Sequence, residues 1–298
     1  MIRVLKKIGQ LATIASLLIL TAVILAACTA DADDEIQSPD EDYVYLETVE
    51  TEDQQTTESP ITEPAPIRPD YITILGEQFS TDLTVLSLDG PLTNEDILPL
   101  KYMTELKGLW IGVLDPFHQI TDLSPLAGLT NLEDISLNAD YVTDISAFAG
   151  LTNLRSIHLV RSQVSDLSPL AGLTNLVTLQ FAASQITDIT PLAGLTNLTS
   201  LDLSWNQISD ITPLAGLTNL HSIWLPVNQI TDITPLAAHI NNGRSNLLHL
   251  RLSDNQISDL TSLTDFEYFD SLWLDGNPIT DFSPIAHIHN IIFDMELP

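Results

Sequence analysis

A repeat of 22 residues organises most of this chain and constrains its fold more than any other feature. One unit, LTSLDLSWNQISDITPLAGLTN, runs from Leu198 to Asn219, and its neighbours share the pattern LxxLxLxxNxIxDIxPLAGLTN. Units begin at Leu83, Leu106, Leu132, Leu154, Leu176, Leu198, Leu220, Leu247 and Phe269. A truncated tenth unit begins near Ile292. Self-similarity at a fixed period of this length predicts an array of stacked units that share one core.

The first half of each unit predicts a short β-strand. Apolar and polar residues alternate there, so Leu201 and Leu203 point to one face and Ser200 and Asp202 to the other. One strand per repeat would stack into a curved parallel sheet. Its inward leucines would form a column that no single repeat could bury alone.

The second half of each unit predicts a tight return on the convex side. In the segment from Thr212 to Gly216, a hydroxyl precedes a proline and a glycine follows one turn later. This order is typical of a helix with a Thr N-cap, a first-turn Pro and a Gly stop. So few residues allow about one turn, of the 3-10 type.

The ninth position of the repeat predicts a ladder of asparagines. A buried amide needs hydrogen-bond partners, and backbone groups in its own turn and in the next repeat would supply them. The ladder residues are Asn206, Asn228, Asn255 and Asn277. Asp140, Ser162 and Ser184 occupy the same position in three repeats, where we expect fewer bonds and a weaker ladder.

These repeats are the signature of leucine-rich-repeat proteins. The chain from Leu83 to Leu297 resembles the internalin-like class of bacterial 22-residue repeats, and the block PLAGLTNL recurs unchanged at Pro125, Pro169, Pro191 and Pro213. The resemblance implies an α/β leucine-rich-repeat solenoid with a curved parallel sheet and short 3-10 turns on the convex side. It also implies a surface protein that binds other proteins through its concave sheet. No sorting signal or immunoglobulin-like domain follows the repeats, so host-cell invasion is not implied.

The amino-terminal segment predicts export. Arg3, Lys6 and Lys7 precede an uncharged apolar stretch from Leu11 to Ala27, which reads as a signal peptide over residues 1–27. Its end, Leu25-Ala26-Ala27-Cys28, resembles the lipobox of bacterial lipoproteins, so we expect Cys28 to be lipidated. The alternative is an uncleaved membrane anchor. Both readings place the rest of the chain outside the cytoplasm, and the first makes it a membrane-anchored lipoprotein of the bacterial cell surface.

Residues 28–70 predict a lipidated cysteine followed by a disordered acidic linker, and residues 71–298 the repeat domain. Fourteen Asp and Glu residues fall between Thr29 and Asp70, a composition that cannot bury enough apolar surface to fold. The linker reads as a spacer, with a cation-binding or partner-binding tail as the alternative. The net charge of −30 argues against nucleic acid and favours basic or neutral partners.

Outward-facing strand residues predict the ligand site. The fifth position of the repeat reads Ser87, Trp110, Ser136, His158, Gln180, Asp202, Trp224, Arg251 and Trp273. Exposed Trp and Arg are typical of binding hot spots. The predicted ligand-binding residues are Trp205, Trp224, His249, Arg251, Trp273, Asp202, Trp110, His158 and Arg161. The expected ligand is a protein or peptide. A glycan stacked on the tryptophans, a structural envelope role, or aromatics that merely cover each other are the alternatives.

The remaining features predict no chemistry. A longer loop carrying Phe117 beside Trp110 reads as a tolerated insertion, with a second ligand contact as the alternative. An insertion around Asn241-Asn242-Gly243 reads as a turn with no role. An aspartate recurs at position thirteen, but one carboxylate per repeat suits turn bonding better than calcium. His287 and His289 would share a strand face without a third zinc ligand. Catalytic and nucleotide-binding motifs are not found, so we expect no enzyme, no cofactor and no metal.

Overall fold

The computed structural model describes residues 68–112, 119–241 and 244–288. The signal peptide, Cys28, nearly all of the acidic linker, Phe117, His289 and the tenth repeat lie outside these residues. All described residues belong to one compact unit, which begins at Arg68. The last residues assigned to the linker are part of this unit, since Thr81 donates a backbone bond to Asp70. None of the helices in the described ranges is long and apolar enough to cross a membrane.

The predicted α/β solenoid is confirmed. The strands are β1 Tyr71–Ile74, β2 Glu77–Ser80, β3 Val85–Leu88, β4 Gly108–Ile111, β5 Asp134–Asn138, β6 Ser156–Val160, β7 Thr178–Gln180, β8 Ser200–Asp202, β9 Ser222–Trp224, β10 Ile240–Asn241, β11 Arg244–Ser245, β12 His249–Arg251 and β13 Ser271–Trp273. One strand from each of the nine repeats joins a parallel sheet that follows chain order, β3-β4-β5-β6-β7-β8-β9-β12-β13. The β1–β2 and β10–β11 pairs are separate antiparallel hairpins.

Short 3-10 helices return the chain from one strand to the next, as the repeat pattern predicts. They are η1 Leu98–Tyr102, η2 Ser124–Leu126, η3 Ser146–Phe148, η4 Ser168–Leu170, η5 Thr190–Leu192, η6 Thr212–Gly216, η7 Thr234–His239, η8 Thr261–Leu263 and η9 Ser283–Ile285. A four-residue α-helix, α1 Asn94–Ile97, precedes η1. Leucines of strands and turns form one continuous core from Ile72 to Ile288.

The caps of these turns differ from the prediction. Thr212 is the first residue of η6, and the N-cap, Ile211, has no side-chain bond. The carboxylate of Asp210 instead accepts the backbone N–H of Thr212 at 2.8 Å. A carboxylate two residues upstream can accept such an N–H in an Asx-type turn, so Asp210 and not Thr212 supplies the side chain that begins the turn. Helix η6 ends at Gly216, as expected, but without the left-handed conformation that a capping glycine usually has. Gly216 does not adopt a positive φ, because the turn continues through a bond from Leu217 N to Leu214 O.

The same aspartate bond recurs in every described turn from η2 to η9. The acceptors are Asp122, Asp144, Asp166, Asp188, Asp210, Asp232, Asp259 and Asp281, at 2.7–2.8 Å from the N–H two residues on. Hydrogen bonds to the following Thr or Ser lower the pKa of Asp188, Asp210, Asp259 and Asp281. The column therefore has the turn-bonding role favoured over calcium.

The ninth-position asparagines form a buried ladder. Asn206 Nδ2 donates to Phe181 O at 2.9 Å and to Leu203 O at 3.0 Å, and its Oδ1 accepts the N–H of Ile186. The partners outside its own turn lie in the preceding repeat, not in the next one as predicted. Asn206 follows the end of β8, and β7 of the preceding repeat is the neighbouring strand, so the amide lies close to the end of β7.

The ladder changes chemistry where asparagine is replaced. Ser162 Oγ and Ser184 Oγ share one 2.6 Å bond, and Val164 N reaches Ser162 Oγ only at 3.4 Å. Asp140 forms an ion pair with Arg161 Nε at 3.1 Å. Fewer bonds therefore join the repeats at the two serines, as expected from the smaller side chain.

A second asparagine ladder, at the last position of the repeat, was not predicted. Each amide donates to a threonine carbonyl of the preceding repeat at 2.8–3.4 Å; the residues are Asn131, Asn153, Asn175, Asn197, Asn219 and Asn246. Adjacent repeats are thus joined by side chains on both sides of the strand. The β1–β2 hairpin, also unpredicted, covers the first end of the core with Ile72, Ile74 and Phe79.

Candidate functional site

The face of the nine-stranded sheet that points away from the core carries the predicted ligand residues. We call it the outer sheet face. Cross-strand register pairs all nine fifth-position residues in one row, which runs from Ser87 beside Trp110 to Arg251 beside Trp273. The row follows from the alternation that buries Leu201 and Leu203 on the opposite face.

Trp224, Arg251 and Trp273 contact one another on three neighbouring strands, and we call them the Trp–Arg–Trp stack. Arg251 Cζ lies 4.8 Å from the ring centroid of Trp224 and 4.9 Å from that of Trp273. The strands β9 and β13 flank β12, so the two rings cover the guanidinium from both sides. Each such cation–π contact contributes about 0.5–2 kcal/mol, depending on how far it is desolvated.

The stack holds hydrogen-bond donors that have no acceptor. Arg251 Nε, Trp224 Nε1 and Trp273 Nε1 are buried and lack a hydrogen-bond partner. Among the described residues no carboxylate lies within 4 Å of the Arg251 guanidinium. By contrast, Lys107 and Arg161 each form an ion pair with a nearby acid. Unpaired buried donors are rare in native proteins and require an explanation.

A chain of hydrogen bonds continues along the row towards the middle of the sheet. Ser156 Oγ and His158 Nε2 lie 2.8 Å apart, His158 Nδ1 and Gln180 Oε1 2.8 Å apart, and Gln180 Nε2 donates to Asp202 at 3.1 Å. The Asp202 carboxylate accepts bonds only, so Gln180 must present its Oε1 to His158. His158 therefore carries its proton on Nδ1, and its Nε2 accepts from Ser156 when the ring is neutral.

Asp202 is buried at the end of this chain. It also accepts the backbone N–H and hydroxyl of Ser204. Burial raises the pKa of Asp202, and its hydrogen bonds and the charge of Arg251 offset only part of this effect. Asp134 on β5, three strands away, likewise has a raised pKa, mainly through desolvation. Gln180 and Ser204 were not predicted as site residues, because neutral side chains carry no charge signal.

The other predicted ligand residues lie apart from the stack. The ring of Trp110 lies over Gly108 on its own strand, where an added Cβ would approach it to 2.6 Å. His249 Nδ1 bonds Ser271 Oγ at 3.0 Å, with its Nε2 3.9 Å from Asp270. Arg161 is engaged with Asp140. The structure thus brings Trp224, Arg251 and Trp273 into contact, with Asp202 beside Trp224 on the next strand and linked to His158 through Gln180. Trp110 and Arg161 stand apart from this group.

The eighth position of the repeat has a backbone conformation that the sequence does not signal. Five non-glycine residues there have a positive φ of 53–59°: Arg161, Ala183, Trp205, Val227 and Asp254. Left-handed backbone normally selects glycine or asparagine. This turn directs the 46% exposed Trp205 outward at the edge of the outer sheet face.

The structure supports no metal site among the described residues. No group of three or more His, Cys, Asp or Glu side chains there is suited to hold a metal ion. His287 lies in the turn after η9, not on a strand as predicted, and its ring bonds Phe266 O at 3.0 Å.

Comparisons with known proteins place this geometry in context. The family model for Leucine Rich repeats (2 copies) matches residues 152–194 and 196–238. Internalin C2 from Listeria monocytogenes is 33% identical, with 74% of this chain and 87% of that chain covered and a TM-score of 0.57. Internalin F from the same organism is 25% identical, with 75% and 91% covered and a TM-score of 0.51.

A more distant structure shares the fold alone. It is the plant peptide hormone receptor RGFR1 in complex with RGF2, at 18% identity, with 72% of this chain and 37% of that chain covered and a TM-score of 0.55. No curated protein has significant sequence similarity to the chain.

Proposed function

Because this chain belongs to the internalin-like family of leucine-rich-repeat proteins, we propose that it is a cell-surface lipoprotein that binds a protein or peptide on its outer sheet face. Proteins of this family are binding scaffolds and not enzymes. The observation that carries the proposal is the Trp–Arg–Trp stack, since three large hot-spot residues stand together on a sheet face where the core does not require them.

A protein or peptide ligand fits this surface better than a glycan. A sugar stacks on open aromatic faces, but Arg251 already covers one face of Trp224 and one face of Trp273. An extended peptide or a loop instead requires hydrogen-bond acceptors and donors beside apolar surface, and the row supplies both. The peptide hormone receptor RGFR1, which shares only the fold, was solved in complex with RGF2, so a protein with this fold can bind such a ligand.

A purely structural envelope role would leave the stack without a purpose. The three unpaired donors of Trp224, Arg251 and Trp273 lower stability unless something accepts from them. Packing alone would be served as well by apolar residues of similar size. The stack therefore favours a dedicated ligand.

The binding proposal is tested with the full-length protein and a displayed random peptide library. We expect the selected peptides to lose roughly 30-fold or more in affinity for the variant Trp224→Ala, the loss typical of a truncated aromatic hot spot. Trp110→Ala is the matched control, because it removes an outer-face tryptophan about five strand spacings, roughly 24 Å, from Trp224. Thermal melts of each variant separate binding from folding. Equal losses for both variants, or a loss of stability without a change in binding, would reject this site.

The lipoprotein proposal rests on the sequence of the amino-terminal segment. A basic stretch, an apolar stretch and a lipobox-like end place Cys28, the only cysteine of the chain, where a lipid would be attached. The variant Cys28→Ala should stay uncleaved, and mass spectrometry should find no diacylglyceryl group on it. An unmodified Cys28 on a membrane-bound wild-type chain would show that the segment is an uncleaved anchor.

A further inference from the structure

We propose that Arg251 binds a carboxylate of the partner, held as a two-point hydrogen-bond acceptor at the tip of the guanidinium. The inference rests on the proposed function and specifies which chemical group of the ligand reaches the Trp–Arg–Trp stack. It concerns one charged group on an otherwise neutral or basic ligand.

The stack leaves the tip of the guanidinium free. The rings of Trp224 and Trp273 cover Arg251 from the two flanking strands, and its Nε is buried between them. The two terminal nitrogens are in contact with solvent, and they make no hydrogen bond to any residue in the described part of the chain. An incoming group must therefore approach in the plane of the guanidinium. A carboxylate is planar and accepts two parallel N–H bonds in that arrangement.

The protein itself does not neutralise this charge. Three acids that are close to the stack in the row or along the chain are engaged elsewhere: Asp202 accepts from Ser204 and Gln180, Asp270 from Tyr268, and Asp275 from Ser253. The charge of Arg251 reaches Asp202, where it opposes the rise of that pKa, but no ion pair forms between them within 4 Å. The Arg251 guanidinium, although it belongs to a strongly acidic chain, is therefore available to bind an anion of the ligand.

The surroundings select a singly charged anion over a phosphate. The chain carries a net charge of −30. Asp202 lies beside Trp224 on the next strand, and Asp270 and Asp275 lie just before and just after the strand of Trp273. A phosphate dianion would meet about twice the repulsion of a carboxylate from these groups. Its tetrahedral shape also has no advantage at a planar, two-donor edge.

The stack also explains why arginine stands at this position. A lysine would keep the positive charge and a cation–π contact, but it would present a compact ammonium instead of a planar pair of donors. The variant Arg251→Lys therefore removes the two-point bond selectively. It is a better probe than alanine, which would also leave two tryptophan faces bare.

The experiment is a double-mutant cycle on peptides selected with the full-length wild-type protein. Each peptide is prepared in matched forms: with its acidic side chains, with each acid replaced by its amide, and with a free or an amidated carboxyl terminus. Affinities are measured for the wild type and for Arg251→Lys. We expect one specific carboxylate whose conversion to an amide lowers affinity for the wild type roughly 30-fold or more, as for other hydrogen-bonded interfacial charge pairs. The same conversion should change affinity for Arg251→Lys by less than about threefold.

The peptide forms distinguish an acidic side chain from a chain end as the source of the carboxylate. They also separate failure of the carboxylate inference from failure of the proposed binding function. Sensitivity to one internal amide identifies an acidic side chain, and sensitivity to terminal amidation identifies a chain end; either supports the inference. If the peptides depend on Trp224 but tolerate every amide conversion, the inference that Arg251 binds a carboxylate is wrong and the proposed function is not affected. Peptides indifferent to both Trp224→Ala and Arg251→Lys overturn the proposed function as well.

Discussion

Replacing Asn206 with alanine isolates the contribution of the amide ladder to stability. The backbone N–H of Ile186 and the carbonyl of Phe181 would lose their bonds to this amide in a buried place. The carbonyls of Leu203 and Ser204 keep other donors. An unpaired buried N–H costs about 1–3 kcal/mol, and a carbonyl somewhat less. We therefore expect Asn206→Ala to lower the free energy of unfolding by about 2–4 kcal/mol.

Ser184→Ala is the matched control, since it changes the same repeat position one repeat earlier in the same ladder. Ser184 makes one bond, to Ser162 Oγ, and the N–H of Val164 is reached by Ser162 and not by Ser184. This variant should lose only about 0.5–1.5 kcal/mol. Urea unfolding followed by far-ultraviolet circular dichroism measures both values from the midpoint and slope. Equal losses in the two variants would show that ladder bonds do not determine stability at this position.

Two further perturbations test the electrostatics and the backbone. Burial raises the pKa of Asp202, so the folded state holds its proton more tightly than the unfolded state, and unfolding free energy falls as pH rises from the ordinary value of 3.8 through the folded one. Asp202→Asn should remove that fall in unfolding free energy. Wild type and variant should therefore be similarly stable at low pH, and the variant should be the more stable at neutral pH. Parallel pH profiles of unfolding free energy would contradict this. Gly276→Ala should destabilise by more than 1 kcal/mol, roughly, because Gly276 has φ +69° and its added Cβ would approach Asp254 Oδ1. Gly128→Ala, with no contact within 4 Å and no positive φ, should be neutral or stabilise by about 0.4–1 kcal/mol in the same melts.

The register of the outer sheet face was predictable because it follows from a period of two. Leu201 and Leu203 must be buried, and a shift by one residue would turn them to the outer sheet face and turn the fifth-position row into the core. That register and the strand spacing also predict that Trp224, Arg251 and Trp273 are adjacent on neighbouring strands. The register does not predict that the guanidinium contacts both rings, because this contact depends on side-chain rotamers that a repeat pattern does not determine.

Backbone conformation at turns was the least predictable part. Trp205 and Val227 adopt a left-handed conformation that neither residue type signals. In these repeats the neighbouring turns impose it, since the N–H of each residue bonds the next repeat, as Trp205 N does with Pro226 O. Thr212 was also misjudged: its hydroxyl resembled an N-cap, but Thr212 is the first residue of the turn, and its own N–H donates to the Asp210 carboxylate.

The second asparagine ladder has a genetic consequence. The block PLAGLTNL is identical at Pro125, Pro169, Pro191 and Pro213, and the asparagine in each copy bonds a threonine carbonyl of the repeat before it. Recombination between two such blocks would remove or duplicate whole units while each junction re-formed the same bond. A change in repeat number between Pro125 and Leu220 would therefore preserve this ladder at every junction. The Trp–Arg–Trp stack lies beyond this interval, so such length variation would change its distance from the amino terminus and leave its residues unchanged.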